Sequence, residues 1–229
     1  LAEQYFGELP AGAKPQPLRP KATLEREVRL ALEDRVEMPR VYMAWHSPAM
    51  FAEDDAEMDL LADLLANGKT SRLYRTLVYE QRIALDVSAY QNSRELAGFF
   101  LLVATATPGR SLTEIASVID TELQRVADEG PSVAEMERAR SQTEAHFMYR
   151  LQTVGGFGGK SDQLNAYNVF CGDPAFFATD LARYQSATAD GVAGAARRHL
   201  GFDRRVVLSI VPRGQHSLAL PGSELVTVE

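Results

Sequence analysis

The chain is poor in the residues that most often carry chemistry. Cys171 is its only cysteine, so no disulfide can close within it. That leaves the compartment open, because exported bacterial proteins also do without disulfides. The four histidines, His46, His146, His199 and His216, are scattered, and none has a second histidine within five residues. A zinc peptidase site needs two histidines one helical turn apart with a glutamate base beside them. Glu144 stands two residues before His146, so on a helix the two face different ways. Each histidine therefore reads as a surface or partly buried structural side chain, and no zinc site built from this segment alone is expected. Basic residues are also outnumbered: 24 Lys and Arg face 31 Asp and Glu, a net charge of -7. A nucleic-acid binder shows a basic stripe, and none stands out here. An acidic wall would suit a basic peptide, although net charge alone does not establish one. No apolar run approaches the ~18 residues of a membrane span, and no signal-peptide pattern is present. The Gly-x-Ser-x-Gly pattern of a serine nucleophile is missing. Cys171 fits an inert core thiol better than a nucleophile.

What is present is an ordinary globular composition, 45% hydrophobic and 24% charged over 229 residues, enough for one or two domains. Leu1 to Phe6 look like the end of a helix whose start is missing, so the chain is expected to be a piece of a longer protein. Pro10, Pro15, Pro17 and Pro20 predict an extended linker over 7–20. Val28, Leu30 and Leu32 alternate with polar or small residues, the period of a half-buried strand. Val41 to Trp45 form a second strand candidate. A helix is predicted over 53–66, with Glu53, Asp54, Asp55 and Glu57 at its positive end and Leu60, Leu61, Leu64 and Leu65 on its apolar face. A second helix is predicted over 71–81. Two strands follow, Ala84 to Tyr90 and Phe99 to Thr105, joined by a polar hairpin over 92–98. Ser111-Leu-Thr-Glu114 and Ser132-Val-Ala-Glu135 are capping boxes and place two helix starts. The second of these helices is predicted to run to Gln152. Asp173-Pro174 opens a further helix, and the last helix ends near Leu200-Gly201. Val206 to Val211 are expected to be the final strand, closed by Pro212. This order predicts an α+β fold, a largely antiparallel sheet with helices gathered on one face. Leu60, Leu64, Ile115, Ile119 and Leu123 are the expected core.

Val154-Gly-Gly-Phe-Gly-Gly-Lys160 is the one glycine-rich stretch. Gly155, Gly156, Gly158 and Gly159 would let backbone N–H groups approach an anion. The stretch lacks P-loop spacing and does not follow a strand, so it reads as a flexible break between two helices. A hinge or a substrate-adjacent loop is the functional alternative.

Several segments together resemble the second domain of insulinase/pitrilysin-type zinc peptidases, a group that includes the mitochondrial processing peptidases. Leu1-Ala-Glu-Gln-Tyr-Phe-Gly-Glu-Leu-Pro10 is similar to the closing helix of the family's first domain, followed there by a proline-bearing linker. Asn67-Gly-Lys-Thr-Ser-Arg-Leu-Tyr74 and Ile83-Ala-Leu-Asp-Val87 resemble its Gly-x-x-Ser-Arg-Leu helix and next strand, carried here by Gly68, Ser71, Arg72 and Leu73. Val206 to Pro212 resembles its last strand. The resemblance covers about 1–212 and implies a split α/β half-domain, the LuxS/processing-peptidase-like metallohydrolase fold. It divides the chain into 1–20, the preceding helix and linker; 21–212, an inactive second domain; and 213–229, a linker or tail.

The same resemblance implies an activity for the parent protein. Zinc would be held by a His-x-x-Glu-His motif in the preceding domain, and two halves would enclose and hydrolyse an unfolded peptide. No cofactor is expected in this segment. Its implied partners are the zinc domain, an opposite half in the same chain or a second subunit, and the peptide. Nucleic acid is not among them, and no membrane span is expected. Of the two compartments considered, periplasm and cytoplasm, the periplasm is preferred. Family members also use an arginine and a tyrosine seven residues apart, and the matching positions here are Val78 and Leu85, neither of which can hold an oxyanion. Arg72 and Tyr79 have that spacing but fall too early in the block. The missing pair implies a long single-chain parent. A non-catalytic partner subunit and a structural relative of respiratory core subunits are the alternatives.

Overall fold

The computed structural model describes residues 1–10, 12–13, 16, 23–155 and 157–227. Pro15, Pro17 and Pro20 of the expected linker, and Gly156, lie outside the described residues. The N-terminal helix α1 (Ala2–Phe6) buries none of its residues. Six strands form one sheet: β1 (Val28–Asp34), β2 (Arg40–Ser47), β3 (Ala84–Ser93), β4 (Gly98–Ala106), β5 (Val206–Pro212) and β6 (Glu224–Val226), in the order β3-β4-β2-β5-β1-β6. The sheet is mixed. β3–β4, β4–β2 and β2–β5 pair antiparallel, while β1 pairs parallel with both β5 and β6. The fold is α+β, and the parallel edge tempers its largely antiparallel character. Parallel pairing of β1 with β5 joins the two ends of the domain, a long-range contact that local periodicity does not reveal.

The six longer helices are α2 (Asp55–Ala66), α3 (Leu112–Glu129), α4 (Val133–Gln152), α5 (Lys160–Ala166), α6 (Phe177–Ser186) and α7 (Ala189–His199). Both capping boxes form: the Ser111 and Ser132 hydroxyls accept the backbone N–H of Glu114 and Glu135, whose carboxylates reach back to the cap. Leu60, Leu61 and Leu64 of α2, and Ile115 and Ile119 of α3, are completely buried. They meet Val41, Met43 and Trp45 of β2, Phe100, Leu102 and Ala104 of β4, and Val207 and Val211 of β5 in one core. Arg205 seals one end of it. Its guanidinium bonds Glu27 and Asp120 and lies over the Trp45 and Phe202 rings.

Three local expectations change. The segment expected as a second α-helix is π-helical over Tyr74–Glu80, with Gln81 N–H donating to the carbonyl of Thr76, five residues back. Leu73, Leu77 and Val78 all pack on the core. Seven residues carry too few turns for their spacing to separate an α period from the wider one. Asp173-Pro174 does not start a helix directly. Asp173 accepts the N–H of Ala175 in a turn, and α6 begins at Phe177. Val206–Pro212 is not the last strand, because Glu224–Val226 follows it and pairs with Leu30–Leu32. Three residues are too few to show a period.

Candidate functional site

Three regions could do chemistry or bind: the block around Arg72, the uncovered face of the sheet, and a cleft beside α2. Gly68 takes a positive φ of 81° just after α2, where only glycine is unstrained. The buried Ser71 hydroxyl donates to the Gly68 carbonyl at 2.7 Å and closes the turn. Arg72 then reaches across to the α3–α4 connection. Its Nε and Nη2 donate to the two carboxylate oxygens of Glu135 at 2.6 and 2.8 Å, and Nη2 also donates to the Gly130 carbonyl at 3.1 Å. Leu73 is fully buried. In this chain the four motif residues form a structural clamp.

The clamp has a titration consequence. Arg72, with help from the Ser132 cap, holds the Glu135 carboxyl down to about 2. Its folded pKa lies below the unfolded one, so the stabilisation is full above about pH 4.5 and is lost as pH falls through the folded value. The loss is on the order of 3 kcal/mol between those limits. Glu135→Gln should flatten this part of the acid-unfolding curve, followed by circular dichroism from pH 5 to pH 2.

Val78 is partly buried in the π-helical segment, and Leu85 is half-exposed at a register shift in the edge strand β3. Neither side chain donates a hydrogen bond. Arg72 and Tyr79 do not converge: Arg72 points into the clamp, while Tyr79 is 73% exposed. His46 and His216 are exposed, His146 lies on α4, and His199 Nε2 sits 2.9 Å from Asp54 Oδ2. Among the described residues no group of three or more His, Cys, Asp or Glu side chains is arranged to hold a metal. The donor set therefore does not fit a zinc ion. Partial burial raises the Cys171 thiol pKa, which disfavours the reactive thiolate.

The glycine-rich loop joins α4 to α5. Lys160 N–H donates to the Thr153 carbonyl, Gly158 N–H to the Asp162 carboxylate, and Arg150 to the Gly158 carbonyl. A Cβ on Gly159 would stand 2.8 Å from the Gly155 carbonyl oxygen, so the pinched base requires glycine. The Phe157 side chain at its tip is fully exposed.

The sheet face away from the helices carries a second apolar set. Across the strands the register aligns Leu30 with Leu208, Leu208 with Tyr42, and Tyr42 with Val103. It likewise aligns Ala44 and Tyr90 with Leu101, and Leu32 with Ile210. Most of these side chains are partly exposed, and Tyr90 and Phe99 are about two-fifths exposed. A polar strip crosses the same face. Arg40 donates to the Thr105 hydroxyl at 2.8 Å, which donates to Asp86 at 3.0 Å. No sequence signal joins Arg40, Thr105 and Asp86, because they come from three strands.

The cleft has a volume of about 600 Å³ and lies between α2, β3 and the α4–α6 arm. Asp55, Asp59 and Asp63 line it at four-residue intervals along α2, and Asp180 faces them from α6. Tyr184 OH donates to Asp59 at 2.7 Å, and Tyr167 OH donates to Asp180 at 2.8 Å. Arg183 bridges Asp180 and Asp55 at 2.9 and 3.2 Å. Desolvation pushes the Asp59 carboxyl up to about 7, and it raises Asp180 and Asp63 as well. Of these acidic residues only Asp55 is legible in the sequence, as helix-start charge. Their meeting with Tyr184 and Asp180 depends on tertiary packing.

With the geometry in place, comparison with known proteins decides the family. The sequence profile of the peptidase M16 inactive domain matches residues 1–143. The chain belongs to the peptidase M16 inactive-domain family. This M16 domain is 24% identical over 127 residues to the zinc protease PqqE of Helicobacter pylori, a match covering 56% of the chain and 29% of that protein. Its fold matches a solved protease from Helicobacter pylori with a TM-score of 0.79 at 18% identity, over 92% of this chain and 51% of that one. It also matches the peptidase M16 inactive domain from Pseudomonas fluorescens with a TM-score of 0.72 at 17% identity, over 99% and 51% of the two chains. The M16 domain therefore spans less than a third of the curated relative and about half of each of these solved chains. At such identities the structural likeness establishes the fold. The family match establishes a non-catalytic M16 domain.

Proposed function

We propose that this M16 domain packs beside a zinc-bearing domain and supplies part of the wall of a chamber that encloses unfolded peptides. The observation that carries the reading is the uncovered sheet face. It presents Tyr42 and Leu208 in register, with Leu101 on the same face, all partly exposed, beside the Arg40–Thr105–Asp86 strip. A flat apolar surface with a polar border suits extended peptides of varied sequence, because apolar contact is non-directional while the polar strip offers hydrogen bonds. The zinc belongs to the preceding domain of the parent chain. The parent is a long single chain whose opposite half supplies what Val78 and Leu85 cannot.

In the intact parent, Leu101→Asp and Leu208→Asp should raise KM for an unfolded peptide several-fold while the zinc content stays at one per catalytic domain. An unchanged KM in both variants would remove the chamber reading. The domain expressed alone should hydrolyse no peptide and retain no stoichiometric zinc after chelation and dialysis. One equivalent of bound zinc would contradict it.

A further inference from the structure

The cleft beside α2 carries an arrangement that the peptidase reading does not use. Asp55, Asp59 and Asp63 are successive i, i+4 neighbours on one helical face, where like charges repel. The groups facing Asp59 from the surrounding elements are few. Tyr184 of α6 supplies its one hydrogen bond. Arg183 of the same helix is committed to Asp55 and Asp180. His146 and Arg138 of α4 act on Asp63, and Arg150 of α4 lines the cleft and donates to Gly158. Tyr167 is engaged by Asp180 and Gln163, and β3 offers the neutral Gln91 and the half-exposed Tyr90. On the far side of α2, Arg198 and His199 of α7 bond Asp54, outside the cleft. No cation is paired with Asp59 among the described residues.

We propose that this cleft is a pH-sensitive joint: the α4–α6 arm stays closed on α2 in acid and loosens as pH rises towards neutrality. When Asp59 is protonated, the closed cleft holds a neutral, only partly exposed carboxyl bonded to Tyr184. When it ionises, an unpaired charge stands between two other carboxylates in a partly dry space. Opening admits water to it. The sign agrees with the carboxyl's environment. Burial raises its folded pKa above the unfolded one, so the stabilisation is full below about pH 4 and is lost up to about pH 7. Tyr184 remains a donor throughout, since burial and Asp59 push its own pKa upward.

Hydrogen–deuterium exchange on the intact protein tests this, read over 177–186 and corrected for intrinsic pH dependence with α3 as the internal reference. Protection of α6 relative to α3 should fall about tenfold or more between pH 5 and pH 8, a tenfold change corresponding to ~1.4 kcal/mol. Asp59→Asn should abolish the difference and keep α6 protected at both pH values. Tyr184→Phe keeps the ring but removes the bond that favours the ionised form, so the transition should move to higher pH. Equal relative protection at both pH values in the unsubstituted protein would overturn the proposal. So would an unaltered pH dependence in folded Asp59→Asn, or an unmoved midpoint in Tyr184→Phe.

Discussion

Replacing Arg72 by alanine should destabilise the domain by about 2–3 kcal/mol, between the costs of breaking an exposed and a fully buried ion pair, because this pair is partly buried. The reason is what remains behind. Glu135 keeps its bonds to the Ser132 cap but loses both guanidinium bonds, and the Gly130 carbonyl loses its donor. Arg72→Lys should recover less than half of the loss, because an ammonium cannot reproduce the bidentate fork. In the double variant Arg72→Ala/Glu135→Ala the loss should be well below the sum of the single losses, since no charge is then stranded. Arg75→Ala is the control. Its contact with Glu80 is 3.4 Å long and both side chains are more than half exposed, so it should cost under about 1 kcal/mol. Denaturant midpoints on these four variants and on Glu135→Ala read all of this. Arg72→Ala behaving like Arg75→Ala would show that the clamp contributes little.

Leu64→Ala should cost about 3–5 kcal/mol, the upper part of the range for a buried leucine. Leu64 is completely buried in the helix at the centre of the core. Its neighbours come from several elements, so the cavity cannot collapse through the shift of one side chain. Leu85→Ala provides the contrast. That side chain is half-exposed on an edge strand, and its truncation should change stability by less than about 1 kcal/mol. Thermal unfolding of the two variants should separate them by several degrees or more. Similar values for both would mean that the core near α2 repacks.

The capping boxes were legible because their hydrogen bonds are local: Ser111 with Glu114 and Ser132 with Glu135 meet within one turn whatever surrounds them. The α2 and α3 core positions were legible because helical spacing sorts residues by face. Arg72 was legible as part of a motif but not as a clamp. Its partner Glu135 is 63 residues away, and the motif alone does not say whether an arginine meets substrate or a neighbouring turn. The cleft was invisible for the same reason. Asp59 needs Tyr184 and Asp180 beside it, and their distance along the chain removes any periodic signal.

By itself the sequence determined the capped starts of α3 and α4, most strand positions, the apolar faces and the lack of paired histidines. Those follow from short-range hydrogen bonding and from periods of two and 3.6 residues. Only the tertiary structure decided that β1 runs parallel to β5 and β6, that Tyr74–Glu80 widens into a π-helix, and that four aspartates share one cleft. Each of these rests on packing between distant segments, where the energy of a contact depends on what it is buried against and not on its neighbours in sequence.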